Sequence, residues 1–175
     1  MIAGAHTILW IGPDGAIDAC RFAPTGRGLL IDGRTTRGET SWRYRARTGP
    51  DGVTVRSRLR GPTTHLIERS RAGDWTMDGV AVPEVRGALD VDLSLTPATN
   101  TLPIRRLADL AEGQEAEVLA AWLDPADWRL KPLAQTYRRL GPDRWLYRSA
   151  TGLEAGLEVD EVGIVLRYGD PWQAA

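Results

Sequence analysis

The chain has 175 residues, 42% of them hydrophobic, with 22 basic and 23 acidic side chains for a formal charge of -1. That length and balance fit one compact domain spanning 1–175 and exclude an acidic disordered chain. No apolar run approaches the ~18 residues of a membrane span; the start Met1-Ile2-Ala3-Gly4-Ala5-His6 lacks the layout of an export signal, so no integral membrane association and a cytoplasmic location are expected.

Turn formers recur at intervals of about 8–12 residues, the spacing of an all-β meander, sandwich or barrel. Gly12-Pro13-Asp14-Gly15, Gly49-Pro50-Asp51-Gly52 and Asp78-Gly79 are examples. Pro presets φ, Asp bonds the local backbone and Gly accepts positive φ. Between them, alternating segments predict strands at 5–11, 17–22, 28–36, 40–48, 53–60, 64–71, 80–85 and 87–95. Cys20, the single cysteine, excludes an internal disulfide and reads as a small core residue.

The pair 40–48 and 53–60 reads as a hairpin. Trp42, Tyr44 and Ala46 alternate with Arg43, Arg45 and Arg47, while Val53, Val55 and Leu59 alternate with Arg56, Arg58 and Arg60. Pairing Thr48 with Val53 sets Trp42 opposite Leu59, Arg45 opposite Arg56 and Arg43 opposite Arg58; a slip of one residue would bring Trp42 against Arg60. The outer face then carries up to six arginines, which are either solvated or meet an anion. Residues 21–71 hold twelve Arg and four acids, a net of +8, against ten basic and seventeen acidic residues in 72–175, a net of -7. Nucleic acid is nevertheless an unexpected partner, because no recognised motif accompanies the basic face.

In 87–95, Asp90 and Asp92 share one face of a strand, roughly 7 Å apart. They suit either an acid–base pair acting on a sugar or ion pairs with Arg105 and Arg106 that fix the following loop. That loop leads into a predicted helix over 101–111, with Asn100 or Thr101 as cap, Pro103 in the first turn, and Ile104, Leu107, Ala108 and Ala111 on one face. Thr99, Asn100, Arg105 and Arg106 could hold a polar or anionic headgroup there. Strands follow at 115–123, 144–149, 153–159 and 164–168.

Familiar catalytic motifs are missing. Lysine occurs only at Lys131, which removes a P-loop. Histidine occurs only at His6 and His65, without metal-ligand spacing, and neither metal nor cofactor is expected. Seven Trp against one Phe point to core, pocket or interface.

The run Gly87-Ala88-Leu89-Asp90-Val91-Asp92-Leu93, continued by Thr96-Pro97-Ala98-Thr99-Asn100-Thr101-Leu102-Pro103-Ile104-Arg105-Arg106-Leu107, resembles the signature of the glycolipid-binding family. Ala121-Trp122-Leu123, Gln135-Thr136-Tyr137 and Tyr147-Arg148-Ser149 follow in the family's order. The tail Tyr168-Gly169-Asp170-Pro171-Trp172 departs from its pattern. The resemblance implies a spiral β-roll: mainly β, a long antiparallel meander sheet rolled around a single α-helix, forming a homodimer. It implies a non-enzymatic protein that binds an amphiphile such as a glycolipid. Trp42, Tyr44, Trp122, Tyr137 and Tyr147 are then candidates for the wall or mouth of a groove, with Asp90, Asp92, Asn100, Arg105 and Arg106 as polar candidates. A structural or interaction β-roll without a small ligand, and a sugar hydrolase using Asp90 and Asp92, are the alternative readings.

Overall fold

A computed structural model describes residues 4–175; residues 1–3, which belong to the segment read above for an export signal, lie outside the described residues. The first eight strands run β1 (His6–Ile11), β2 (Ile17–Thr25), β3 (Gly28–Arg37), β4 (Thr40–Thr48), β5 (Thr54–Arg60), β6 (Thr64–Arg69), β7 (Trp75–Met77) and β8 (Val80–Ala81). After β9 (Asp90–Asp92), a 3-10 turn (Pro97–Asn100) runs into a short helix, α1 (Thr101–Arg106). The chain ends with β10 (Glu115–Asp124), β11 (Arg129–Arg139), β12 (Arg144–Ser149), β13 (Glu154–Val159), β14 (Val165–Tyr168) and β15 (Trp172–Ala174).

All fifteen strands belong to one open sheet, in the order β8-β7-β6-β5-β4-β3-β2-β1-β15-β14-β13-β12-β11-β10-β9. Two meanders therefore meet where β15 pairs with β1, and β8 and β9, consecutive in sequence, occupy opposite edges. Every pairing is antiparallel except β9 with β10, which is parallel, so the sheet is mixed rather than wholly antiparallel. One core cluster joins Trp10, Phe22, Ile31, Tyr44, Leu59 and Trp75 of the first meander to Ala121, Leu123 and Trp172 of the second. Ala98 and Leu102 of the helical segment sit in the same cluster, so the sheet curls around that segment.

The arginine hairpin forms, but two residues out of the expected register. Tyr44 faces Leu59, Arg43 faces Arg60, Arg45 faces Arg58 and Arg47 faces Arg56. The cause is local. The Gly49-Pro50-Asp51-Gly52 turn closes with Gly49 N–H on Val53 O at 2.8 Å, and Val53 N–H bonds Asp51 Oδ1 at 3.1 Å, so Val53 belongs to the loop. A bulge at Arg47/Thr48 then restarts the ladder, with Thr54 buried and Val55 exposed.

Other boundaries also differ from expectation. The helix stops at Arg106 rather than 111 and buries Thr101, Leu102, Pro103 and Ile104; the Asn100 side chain does not cap it. Of 87–95 only Asp90–Asp92 is strand, and of 80–85 only Val80–Ala81, followed by a 3-10 turn. β7, β11 and β15 lie outside the segments that alternation picks out. β11 contains Pro132, which lies opposite Ala121 of β10 but beyond the reach of β12, whose pairing covers Gln135–Arg139. A proline in a strand is tolerated where one side needs no donor.

Gly33 on β3 faces Tyr44 on β4, and a methyl group built on it would lie 2.3 Å from the Tyr44 ring and hydroxyl. The glycine is what lets the tyrosine lie flat across β3. Gly33→Ala should therefore destabilise the fold by about 1–3 kcal/mol through overpacking, read as a lower urea midpoint with an unchanged slope; an unaltered midpoint would count against this packing.

Candidate functional site

Tyr44 reaches over Gly33 to β2, where its hydroxyl donates to Asp18 at 2.8 and 3.0 Å. The same oxygen lies 3.0 Å from Thr96 Oγ1, which also accepts from Ala98 N at 3.0 Å and so caps the 3-10 turn. Asp18 is fully buried. Burial pushes its carboxyl up to about 6, against the opposing hydroxyls of Thr96 and Tyr44. On the other side of the segment, Tyr137 donates to Asn100 Oδ1 at 2.8 Å.

Asp92, at the end of β9, is the next polar centre. Its carboxylate accepts from Ser94 N at 2.9 Å and from Gln135 Nε2 at 2.7 Å. Burial raises its pKa, with those two hydrogen bonds opposing. Ser94, with φ at 50°, turns its hydroxyl to accept from Trp122 Nε1.

Of these groups, Asp92, Ser94, Thr96, Asn100 and Trp122 border a cleft of about 250 Å³ on the concave side of the sheet. Trp122, Tyr147, Tyr168 and Trp172 supply aromatic surface, and Asp92, Thr96, Asn100 and Ser149 supply polar groups. The Tyr137, Tyr147 and Tyr168 rings form a chain with centroids 5.2 and 5.8 Å apart, which fixes the wall. Burial raises the pKa of all three hydroxyls and keeps them as donors. A second, larger groove of about 520 Å³ lies between the β2–β3 and β4–β5 turns and α1, bordered by Leu29, Leu102, Arg105 and Arg106.

Of the residues singled out from sequence, the structure places Asp92, Asn100, Trp122 and Tyr147 on the cleft. Tyr44 and Tyr137 are fully buried behind it. The other four stand elsewhere. Trp42 packs on Trp128, which stacks on His65. Arg105 donates to Val162 O and borders the second groove with Arg106. Asp90 is buried in an ion pair with Arg106, one oxygen unpartnered, and burial raises its pKa against that arginine. Asp90 and Asp92 thus do not face one cleft as a catalytic pair. Thr96, Tyr168 and Trp172 were missed. Thr96 belongs to the loop flagged above, whereas Trp172 sits in the departing tail and arrives only through the pairing of β14 with β15.

A rolled, mainly β sheet enclosing a short helical segment, with an aromatic and polar cleft on its concave side, defines the class. Within that class the chain belongs to the family described as "Putative glycolipid-binding", whose profile it matches over residues 7–174. It is also similar to the crystal structure of a DUF1089 family protein from Pseudomonas aeruginosa, with 28% identity and a TM-score of 0.67 over 99% of this chain and 93% of that one. No curated protein matches.

The Asp18 site gives a pH signature. Its carboxyl is raised to about 6 in the folded state from 3.8, so the folded protein holds a proton that the unfolded chain has lost. The stability it contributes is complete below about pH 4 and lost as pH rises through about 6. Asp18→Asn, which cannot ionise, should gain on the native chain by up to about 3 kcal/mol between those limits, measured by urea unfolding across pH. A stability difference that stays constant with pH would refute the assignment.

Proposed function

We propose that the protein is a non-enzymatic binder of an amphiphile, and that the concave cleft receives its sugar headgroup. The observation that carries this reading is the composition of the cleft: Trp122, Tyr147, Tyr168 and Trp172 around the Asp92 carboxylate and Asn100. Sugar rings present apolar C–H faces and a belt of hydroxyls. Aromatic faces cover the first, while a carboxylate and an amide accept from and donate to the second. Asp92 is suited to that task because Gln135 and Ser94 N hold its orientation. Tyr137 fixes Asn100 in the same way. About 250 Å³ is the scale of a headgroup rather than of a whole lipid, so the acyl part stays outside this cleft. Membership of the glycolipid-binding family supports a binding role.

Octyl glucoside below its micellar concentration is a suitable probe, followed by tryptophan fluorescence and calorimetry. Saturable binding is expected, with Asp92→Asn weakening it by about 10- to 100-fold through the lost charged hydrogen bond. Octanol should not compete. Octanol binding as tightly as the glucoside, or an Asp92→Asn protein that binds normally, would overturn the headgroup assignment.

A further inference from the structure

The register of the first meander builds a second surface on the outside of the roll, sharing no residue with the cleft. Because side chains alternate across a strand, the pairings define rows running across the sheet. In one row Leu9 faces Ala19, Ala19 faces Arg34, Arg34 faces Arg43 and Arg43 faces Arg60. In the next, Arg21 faces Asp32, and Asp32, Arg45 and Arg58 follow in line. A third pairs Arg47 with Arg56. Among the described residues, the acids at the outward positions of these strands are Asp32 and Glu68, bound by Arg45 and Arg56. Eight arginines against two acids leave this face a net +6.

Three arginine pairs stand directly opposite one another between β4 and β5, an arrangement that costs stability in the isolated protein. A basic groove of about 290 Å³ runs between them, bordered by Arg43, Arg45, Arg47, Arg56, Arg58 and Arg60. At the other side of the same face is an apolar ridge. Ile11 lies opposite Ile17, next to the Leu9 row, and Leu9, Ile11 and Ile17 are 42%, 53% and 47% exposed. From β1 to β5 the two halves span about 19 Å at ordinary strand spacing.

We propose that this outward face docks on the surface of an anionic phospholipid bilayer, the arginines on lipid phosphates and Leu9, Ile11 and Ile17 in the interface beneath them. Exposed apolar side chains beside a basic field are what a membrane surface rewards: phosphates meet the charges while the acyl boundary takes the ridge. A nucleic acid would satisfy the arginines but leave the ridge in water, and this face of β1–β5 presents no aromatic ring for a base to stack on. The net charge of -1 for the chain does not oppose docking, because charges beyond a Debye length are screened.

Co-sedimentation with vesicles of equal parts phosphatidylglycerol and phosphatidylcholine, against vesicles of phosphatidylcholine alone, tests the proposal. Binding is expected to the anionic vesicles only and to weaken with salt. The triple variant R43Q/R58Q/R60Q should bind about 100-fold more weakly at low salt. It removes like-charge repulsion, so it should melt no lower than the native chain. The double variant I11S/I17S should weaken binding about tenfold or more while still folding, since both side chains are already exposed. No vesicle binding, equal binding to both vesicles, or loss in neither variant would overturn the proposal. So would duplex DNA that displaces the vesicles and binds I11S/I17S undiminished, or a dimer in sedimentation velocity that I11S/I17S splits. Glucoside binding in the cleft is unaffected by either variant, so failure of one reading is separable from failure of the other.

Discussion

Everything in this fold depends on how residues 96–106 are tied into the sheet. Open twisted sheets rarely exceed about ten strands without curling or splitting, and this one has fifteen. The segment gives the sheet something to curl around. It is held at three points by three parts of the chain: Thr96 by Tyr44 of β4, Asn100 by Tyr137 of β11, and Arg106 by Asp90 of β9. Because β4 and β11 belong to different meanders, these contacts set the distance between the two halves. The same contacts orient the polar rim of the cleft, since Thr96 and Asn100 are both rim and anchor.

The two edges are handled differently. β8 is two residues long, too short to template another strand. β9 is short as well, and the chain leading into it is met by groups from across the roll: Thr54 N–H bonds Leu89 O, while Arg69 Nε and Trp75 Nε1 bond Ala88 O. Thr54 Oγ1 in turn accepts from Val91 N–H. Side chains and one loop-end amide thus do the work of a ladder, and the roll is sealed near this edge without becoming a barrel. This explains why Thr54 is buried where alternation alone would put Val55 inside. The bulge in β5 turns the threonine inward to serve β9, and Val55 is left exposed.

Local chemistry in the sequence was sufficient to read the strands whose two faces differ. The arginine hairpin is the clearest case, because Arg and aromatic positions alternate without a break in β4. The register was not legible, since a bulge depends on what the far side of the roll requires. β11 was hidden because Pro132 breaks the pattern, and only the partial overlap with β12 makes it acceptable. The helix was overread: Ile104, Leu107 and Ala108 have helical spacing, and Leu107 N–H still makes the helical bond to Pro103 O, but Leu107 itself leaves helical dihedrals (φ -92°, ψ 14°) and Leu110 N–H then closes a turn on Leu107 O. In the cleft, Asp92, Asn100, Trp122 and Tyr147 stood out individually by residue type. Their meeting could not be read, because it joins strands far apart in the chain, and Trp172 needed the last hairpin to arrive at all.

The carboxylates separate what holds the fold from what the cleft presents. Asp90 has Arg106 as a counter-ion, and such a pair does structural work at modest net benefit. Among the described residues Asp18 and Asp92 have none; hydroxyl, amide and backbone donors surround them, and burial pushes up all three carboxyls. A protein selected for stability alone would replace an uncompensated buried carboxylate with a neutral residue of the same shape, because desolvation is not repaid. Asp18 is enclosed and holds Tyr44, which holds Thr96. Asp92 opens on the cleft, where a ligand's hydroxyls can supply the donors that the fold withholds. On the proposed headgroup reading, the cost of leaving Asp92 without a counter-ion is offset when ligand hydroxyls donate to it.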